Sequence, residues 1–346
     1  MDWLAIIFVI SILACVRVSF HNWNAAYLAP ANTNALRGIM AIGVVLHHLA
    51  EHCHSGRLFH YMYLDGIGYL LVAVFFFLSG YGLMVQFGKK GTPYLKSLWS
   101  KRILFFVIVF VLDMALYIVF HLLNGKACTV RTTYSWLMTG HVPALSAWYL
   151  VAQVVFYVFF WLAFSRIPVQ RWAVTGLFVL VLGISGVWLL LGYPQYWSYS
   201  NLAFCTGVLW ALKRDAIETF CKQHYWIALL CATGLFVLFS GIPLAVKGRQ
   251  VYVACRMVSS TLFAVWIIVL LQKITFVGML WQKVSIFSLE IFLLHGLVYR
   301  LLRSNMIRID NETLWVVMTV VISVLISIPA HRLNMKIKDW SNKIGQ

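Results

Sequence analysis

The sequence is short of charged residues, and most of all of acidic ones. Charged residues make up 11% of its 346 residues, against about 25% in typical soluble domains. Only 10 residues are Asp or Glu, while 27 are Lys or Arg, and 62% are hydrophobic. No soluble core can bury this much apolar surface. The composition therefore excludes a soluble domain and predicts a polytopic membrane protein of helical type.

Cysteine pairs at metal-ligand or redox spacing are also absent. The seven cysteines are scattered, and no Cys-x-x-Cys occurs. Most of them stand in apolar runs, where a thiol behaves as a small hydrophobic group. We expect no bound metal. A disulfide between Cys53 and Cys128 remains an alternative.

Long apolar runs recur along the whole chain. We predict an all-α transmembrane bundle of about eleven helices, with an uncleaved first span because no basic segment precedes it. Residues 131–140 are expected to lie at the interface. The predicted spans are residues 3–20, 35–53, 67–87, 102–122, 145–164, 171–191, 199–212, 224–242, 251–271, 284–302 and 313–331.

Basic residues gather in alternate connections between these spans. Such loops lie in the cytoplasm, which also accounts for the net charge of +17 without a nucleic-acid partner. We therefore predict an integral membrane protein with its C-terminus in the cytoplasm. The expected partners are the lipid bilayer and a substrate, and the sequence does not indicate an oligomeric state. The basic connections contain Lys89, Lys90, Lys96, Lys101, Arg102, Arg166, Arg171, Lys213, Arg214, Lys222, Lys273 and Lys283.

One stretch, Asn34 to His54, combines an apolar run with buried charge. Arg37 and His48 are eleven residues apart, so a helix places them on nearly the same face, roughly 16 Å apart along the axis. Ionisable groups inside a membrane are costly and mark function. An arginine can bind an anion such as phosphate, and a histidine can accept a proton from a nucleophile. We expect both to line one polar passage.

Several segments resemble the acyltransferase-3 family of integral membrane acyltransferases. Leu36-Arg37-Gly38, with a histidine eleven residues after the arginine, resembles its opening motif, and that histidine is His48. Two departures stand out: residues 1–31 form an added span and linker, and Leu104-Phe105 replaces an expected proline. The other similar segments are Phe75–Leu83, Lys101–Ile103, Trp148–Leu150, Asn201–Gly207 and Ser285–His295.

The resemblance implies an acyl-CoA-dependent O-acyltransferase. It would move an acyl group, commonly acetyl, from cytoplasmic acyl-CoA to a hydroxyl of an extracytoplasmic or lipid-linked glycan. Residues 32–346 would form the catalytic membrane domain, without a soluble appendage. His48 would be the general base, and Arg37, Lys101 and Arg102 would bind the CoA. An acyl-histidine intermediate stays open. The supporting or oxyanion candidates are Ser79, Trp148, Tyr149, Asn201, Glu290 and His295.

Two alternatives from other functional classes stay open. His48-Leu49-Ala50-Glu51-His52 fits the His-x-x-Glu-His pattern of a zinc-dependent membrane peptidase. A transporter or flippase without chemistry would also use basic and aromatic residues around a polar cavity. The intramembrane acids Asp113 and Glu290 are expected to face the interior and to pair.

Overall fold

Helices make up 80% of the computed structural model, which confirms the all-α class. The structure describes residues 2–53, 66–142, 144 and 146–344. His54, at the end of the predicted histidine-rich stretch, lies outside the described residues. The helices are α1 Asp2–Ala14, α2 Pro30–Ala50, α3 Gly68–Lys90, α4 Thr92–Leu98, α5 Leu104–Leu123, α6 Val130–Thr139, α7 Ala147–Arg166, α8 Gln170–Leu190, α9 Leu202–Leu212, α10 Arg214–Ala245, α11 Arg249–Leu271, α12 Leu280–Ile286, α13 Ser288–Leu302 and α14 Glu312–Ile344.

Among the described residues, seven helical segments are long and apolar enough to cross a membrane, and eight if the bent pair α12 and α13 forms one span. The predicted number of about eleven is not confirmed. Helix α9 has 11 residues and is too short. Helix α2 has 21 residues, and its arginine, asparagines and histidines lower its hydropathy. The seven segments are α3, α4 with α5, α7, α8, α10, α11 and α14.

The first predicted span, residues 3–20, is wrong beyond Ala14. Helix α1 has 13 residues, about 20 Å of length, and it ends before a strand, β1 Val16–Val18. This strand pairs antiparallel with β2 Ile274–Phe276. The β-branched Val16 and Val18 favour a strand, and hydrophobicity alone does not distinguish this segment from the end of a helix.

The interior is organised around α3, which packs closely against α9. A Cβ on Gly80 of α3 would collide with the carbonyl of Phe204, and a Cβ on Gly207 of α9 would collide with the carbonyl of Phe77. Small residues of this kind let helix backbones approach in a membrane. The large side chains Phe76 and Phe77 beside this contact are fully buried.

Helix α2 is fixed on its other side by the broken pair α12 and α13. A Cβ on Gly38 would meet the backbone carbonyl of Trp281 in α12. The pair bends by 73° at the break, which falls at Phe287. This bend lets α12 hold the beginning of α2 while α13 contacts its end.

Three further details concern the predicted site, the cysteines and the predicted interfacial segment. Lys101 and Arg102 lie in a π-helical turn, Trp99–Ile103, between α4 and α5, and such turns are frequent at functional sites. No disulfide joins Cys53 and Cys128, both of which lie in the described part of the chain. Helix α6 has 10 residues, too few to span a membrane.

Candidate active site

Arg37 and His48 both lie on α2, which is continuous from Pro30 to Ala50. A proline suits the first turn because the first amide groups of a helix have no partner within it. With an unbroken helix, the spacing along the axis is the predicted one. The two side chains, however, belong to different surroundings at opposite ends of α2.

Arg37 opens on a cavity of about 330 Å³, which we call the Arg37 cavity. Its guanidinium donates to Asn34 Oδ1 at 3.4 Å. A second guanidinium, that of Arg102, shares the cavity. Among the described residues, no carboxylate lines it. The cavity is lined by Arg37, Phe75, Leu78, Ser79, Gly82, Leu83, Gln86, Tyr94, Arg102, Phe106, Tyr149, Gln153, Tyr157, Ser288, Leu289 and Phe292.

Helices α3 and α7 contribute a small polar network to this cavity. Gln153 Nε2 donates to Ser79 Oγ at 2.7 Å, and the hydroxyl groups of Ser79 and Tyr157 are 2.9 Å apart. Gln153 Oε1 is buried and has no partner in the described part of the chain. An unpartnered buried oxygen costs free energy, so this one is suited to accept a hydrogen bond from a bound molecule.

Lys101 lies beside the Arg37 cavity rather than in it. It lines two smaller cavities, of about 190 Å³ and 150 Å³, and Arg102 and Lys338 line both of them. Arg102 therefore joins these two cavities to the Arg37 cavity. Together they form a cationic region around the π-helical turn.

The two intramembrane acids behave differently. Glu290 Oε1 accepts hydrogen bonds from His331 Nδ1 at 3.1 Å and Asn334 Nδ2 at 2.8 Å, which confirms that it faces the interior and pairs. Asp113 is buried as predicted. Neither of its carboxylate oxygens has a hydrogen-bond partner among the described residues, so its predicted pairing is wrong within that part of the chain.

His48 lies near the end of α2 and contacts a carboxylate. Its Nδ1 is 2.8 Å from Glu51 Oε2, and its side chain keeps 21% of its surface accessible. When the imidazole is neutral, Nδ1–H donates to this carboxylate and Nε2 carries the free lone pair. The contact thus selects the tautomer in which Nε2 can act as a base.

A second histidine stacks on the first. The rings of His48 and His295 are 5.3 Å apart between centroids and inclined by 20°. His295 Nδ1 is 3.1 Å from the carbonyl of Ile291, and its Nε2 is buried without a hydrogen-bond partner in the described residues. On the other side of His48, His47 packs against the backbone of Gly68, where a Cβ would collide with its ring. The imidazole of His48 is therefore held between fixed neighbours.

The zinc alternative required His48 and His52 on one helical face. Helix α2 ends at Ala50, so His52 lies beyond it, with its Nε2 3.4 Å from the Tyr299 hydroxyl. The ligand atoms that lie within 4.8 Å of one another belong to His47, His48 and Glu51. This set differs from the one that the motif predicts.

A second cavity has a volume of about 710 Å³ and is lined in part by Glu51. We call it the Arg303 cavity. Among the lining residues that the structure describes, three carry positive charge and one is a carboxylate. Burial lowers the pKa of His52, and the charges of Arg300 and Arg303 lower it further, although Glu51 raises it. The cavity is lined by Glu51, His52, Phe120, His121, Asn124, Lys126, Trp136, Val142, Tyr299, Arg300, Arg303, Ser304 and Trp315.

Within the described ranges, the Arg37 cavity and the Arg303 cavity have no lining residue in common. Phe75, Tyr149 and Phe292 line the Arg37 cavity and pack on one another with centroid distances of 4.9 to 6.3 Å. We call these three side chains the ring layer. Phe292 is in turn 6.2 Å from the ring of His295. Among the described residues, the predicted single polar passage is not found in this conformation, and the ring layer packs between the Arg37 cavity and the ring of His295.

Four predicted supporting residues, Trp148, Asn201, Glu290 and His295, line neither the Arg37 cavity nor the Arg303 cavity. Trp148 packs against Phe76 and Tyr196. Asn201 is fully buried, and its amide donates to Ser185 Oγ at 2.8 Å and to the carbonyl of Trp197 at 2.9 Å. Both side chains stabilise local packing, and their part in catalysis stays a prediction. Ser79 and Tyr149 line the Arg37 cavity, while Glu290 lines the smaller cavity of about 190 Å³.

Apolar helices around two polar cavities define an integral membrane protein. A family model described as an acyltransferase domain matches residues 31–332. The chain therefore belongs to the acyltransferase-3 family of membrane acyltransferases, as its motifs predict. Searches of curated proteins and of solved structures found no match. The division of the chain after residue 31 into two units stays a prediction.

Sequence reasoning missed three groups that the structure places at the site. Glu51 follows His48 by three residues, a spacing that brings side chains together on a helix and that could have indicated the pair. Gln153 and Arg303 gave no comparable signal. Their positions depend on contacts between helices that are far apart in the sequence.

Proposed function

We propose that this protein is an O-acyltransferase that moves an acyl group, with acetyl as the expected group, from acyl-CoA to a hydroxyl of a glycan. The donor would enter the Arg37 cavity and the acceptor the Arg303 cavity. One observation carries the proposal. A single helix presents an arginine to the first cavity and, near its other end, a histidine bonded to Glu51, which lines the second.

The Arg37 cavity suits the pantetheine arm and phosphates of CoA. Guanidinium groups bind phosphate through paired hydrogen bonds, and Arg37 and Arg102 both line the cavity. The unpartnered Gln153 Oε1 would accept a hydrogen bond from an amide of the arm. Lys101 and Lys338, in the adjoining cavities, would bind the phosphates of the nucleotide.

His48 would act as the general base. Its Nε2 takes the proton of the acceptor hydroxyl, and the oxygen attacks the thioester carbonyl. The C–S bond then breaks, and His48 returns the proton to the leaving thiolate, which gives an ester and free CoA. Glu51 holds the imidazole in the required tautomer and stabilises its positive charge during the transfer.

Among the oxyanion candidates, Tyr149 has the best position. It lines the Arg37 cavity and packs on Phe292 at 4.9 Å, at the end of the cavity that faces the histidines. The hydroxyl of Ser79 is already bonded within its network. A phenol that donates to the developing oxyanion would stabilise the transition state.

The membrane orientation is part of the same proposal. Acyl-CoA is made in the cytoplasm, so the Arg37 cavity would face the cytoplasm and the Arg303 cavity the outside. Basic connections and the C-terminal segment lie at the cytoplasmic side under the positive-inside rule. The membrane would be the bacterial cytoplasmic membrane.

The test is replacement of His48 with alanine. We expect His48→Ala to lower acyl transfer by roughly 10²- to 10⁴-fold, the usual contribution of a general base, with normal protein levels. The exposed His21, replaced in the same way, serves as the matched control. Transfer would be measured by mass spectrometry of surface glycans from a deletion strain that carries each variant. Retained acylation with His48→Ala, or glycans unchanged by the deletion, would contradict the proposal.

A further inference from the structure

The Arg303 cavity is unusual in the kind of hydrogen-bonding group it offers. Its volume of about 710 Å³ is in the range of small-molecule sites. Lys126, Arg300 and Arg303 provide donors that carry positive charge, whereas Glu51 is the sole carboxylate among the lining residues that the structure describes. Glu51 is already engaged by His48 at 2.8 Å. The cavity therefore has an excess of cationic donors.

The position of Arg303 leaves much of its donor capacity unused. Its guanidinium lies 3.8 Å over the ring of Trp315, and Nη1 donates to the carbonyl of His52 at 3.2 Å. A guanidinium has five N–H donors, and within the described ranges this is the hydrogen bond that Arg303 donates. Stacking on the indole fixes the plane of the group, so a ligand meets donors that are already oriented.

Lys126 and an unpartnered nitrogen of His121 also line this cavity. Lys126 follows α5 and is exposed, and no carboxylate in the described part of the chain forms an ion pair with it. His121 Nε2, on the last turn of α5, is buried without a hydrogen-bond partner there. The ring of His121 lies 5.9 Å from that of Trp136, which also lines the cavity. An aromatic ring beside polar groups suits the apolar face of a sugar.

We propose that the ligand of the Arg303 cavity is a sugar that carries an anionic oxygen group, a carboxylate or a phosphate, close to the hydroxyl that is acylated. A neutral sugar would leave cationic donors without acceptors, and unsatisfied groups of this kind cost affinity. An anionic oxygen pairs with Arg303 and Lys126 while the adjacent hydroxyl faces His48. This inference rests on the proposed function in one respect, namely that the cavity receives the acceptor.

The test measures binding, without acyl-CoA, so that it does not depend on catalysis. Three probes would be titrated by calorimetry into the full-length protein in nanodiscs of neutral lipid: methyl glucoside, methyl glucuronide and glucose 6-phosphate. We expect at least one charged probe to bind about tenfold more tightly than the neutral one, as for one charge-assisted hydrogen bond. A preference for the glucuronide indicates an acidic sugar as the source, and a preference for the phosphate indicates a phosphorylated or lipid-linked one.

Variants connect the binding to the cavity. Lys126→Gln, at an exposed side chain, should lower the affinity for the charged probe several-fold without disturbing the fold. Lys126→Arg should retain the affinity of the unchanged protein for that probe. Arg303→Gln should lower the affinity for the charged probe more than Lys126→Gln does. Arg249, an arginine that does not line the cavity, provides the matched control, and Arg249→Gln should change nothing.

Two results would overturn the inference. One is equal affinity for the neutral and the charged probes, including no binding of any of them. The other is charged-probe affinity that Lys126→Gln and Arg303→Gln both leave intact. Selective anion binding in a protein that transfers no acyl group would instead contradict the proposed function alone.

Discussion

The Arg37 cavity and the Arg303 cavity are both cationic, but they are built differently. The first is enclosed by helices, and its cations stand beside neutral amide and hydroxyl groups that bond to one another. The second is about twice as large and includes residues from loops and helix ends. A narrow, preformed site suits one constant ligand, whereas a wider one made partly of loops suits ligands that differ between relatives.

The aromatic side chains near the end of the Arg37 cavity are a second difference between the two regions. Phe292 of the ring layer packs on His295, and His295 stacks on His48, so a row of rings leads from the wall of the Arg37 cavity to the histidine pair. A membrane enzyme that uses reagents from two sides must keep the sides apart when it is idle. In our proposal the thioester passes the ring layer only when the donor occupies the Arg37 cavity.

Among substitutions that affect one cavity and not the other, Arg37→Gln should have the largest effect. Loss of a charge-assisted contact to phosphate should raise KM for acetyl-CoA on the order of 100-fold, because the neutral amide cannot replace the guanidinium. Binding of an anionic sugar to the Arg303 cavity should stay unchanged. Steady-state kinetics in proteoliposomes and calorimetry measure the two effects. Arg17→Gln, at an exposed position of strand β1, is the matched control. If Arg37→Gln changed both KM for acetyl-CoA and the affinity for the anionic sugar, the two cavities would not be independent.

A smaller effect is expected from Glu51→Gln, at the boundary of the Arg303 cavity. Partners that orient a reacting side chain typically contribute about 10- to 100-fold to activity. We expect kcat to fall by that amount while KM for acetyl-CoA is unchanged, and Glu51→Asp to restore part of the rate. The pH–rate profile distinguishes positioning from a structural role, since only a positioning role shifts it. An unaltered kcat would contradict a role of Glu51 in orienting His48 for the reaction.

The smallest effect should come from the ring layer itself. Phe292→Leu removes part of the aromatic wall while it keeps an apolar side chain of similar burial. We expect a modest rise in hydrolysis of acetyl-CoA without an acceptor, because water reaches the donor more easily. Release of free CoA in proteoliposomes measures it. Phe178→Leu, on α8 away from both cavities, is the control, and equal hydrolysis in the two variants would argue against a barrier at Phe292.

Much of the fold was predictable because apolar runs and helix motifs are local. The runs over 67–87 and 171–191 correspond to α3 and α8 within one to three residues. The segment 3–20 was predicted wrongly beyond Ala14, since strand pairing with Ile274–Phe276 is a contact over a long sequence separation. The break at Phe287 likewise divides a run that reads as one span.

The sequence by itself determined the membrane class, the family and the pairing of Arg37 with His48 on one helix, because these depend on composition, order and helical period. Only the tertiary structure decided that Arg37 opens on one cavity while Glu51, the partner of His48, lines another, that Glu51 fixes the tautomer of His48, and that Arg303 stacks on Trp315. The physical reason is that cavities and side-chain contacts arise where distant helices pack, and helical period carries no information about which helices those are.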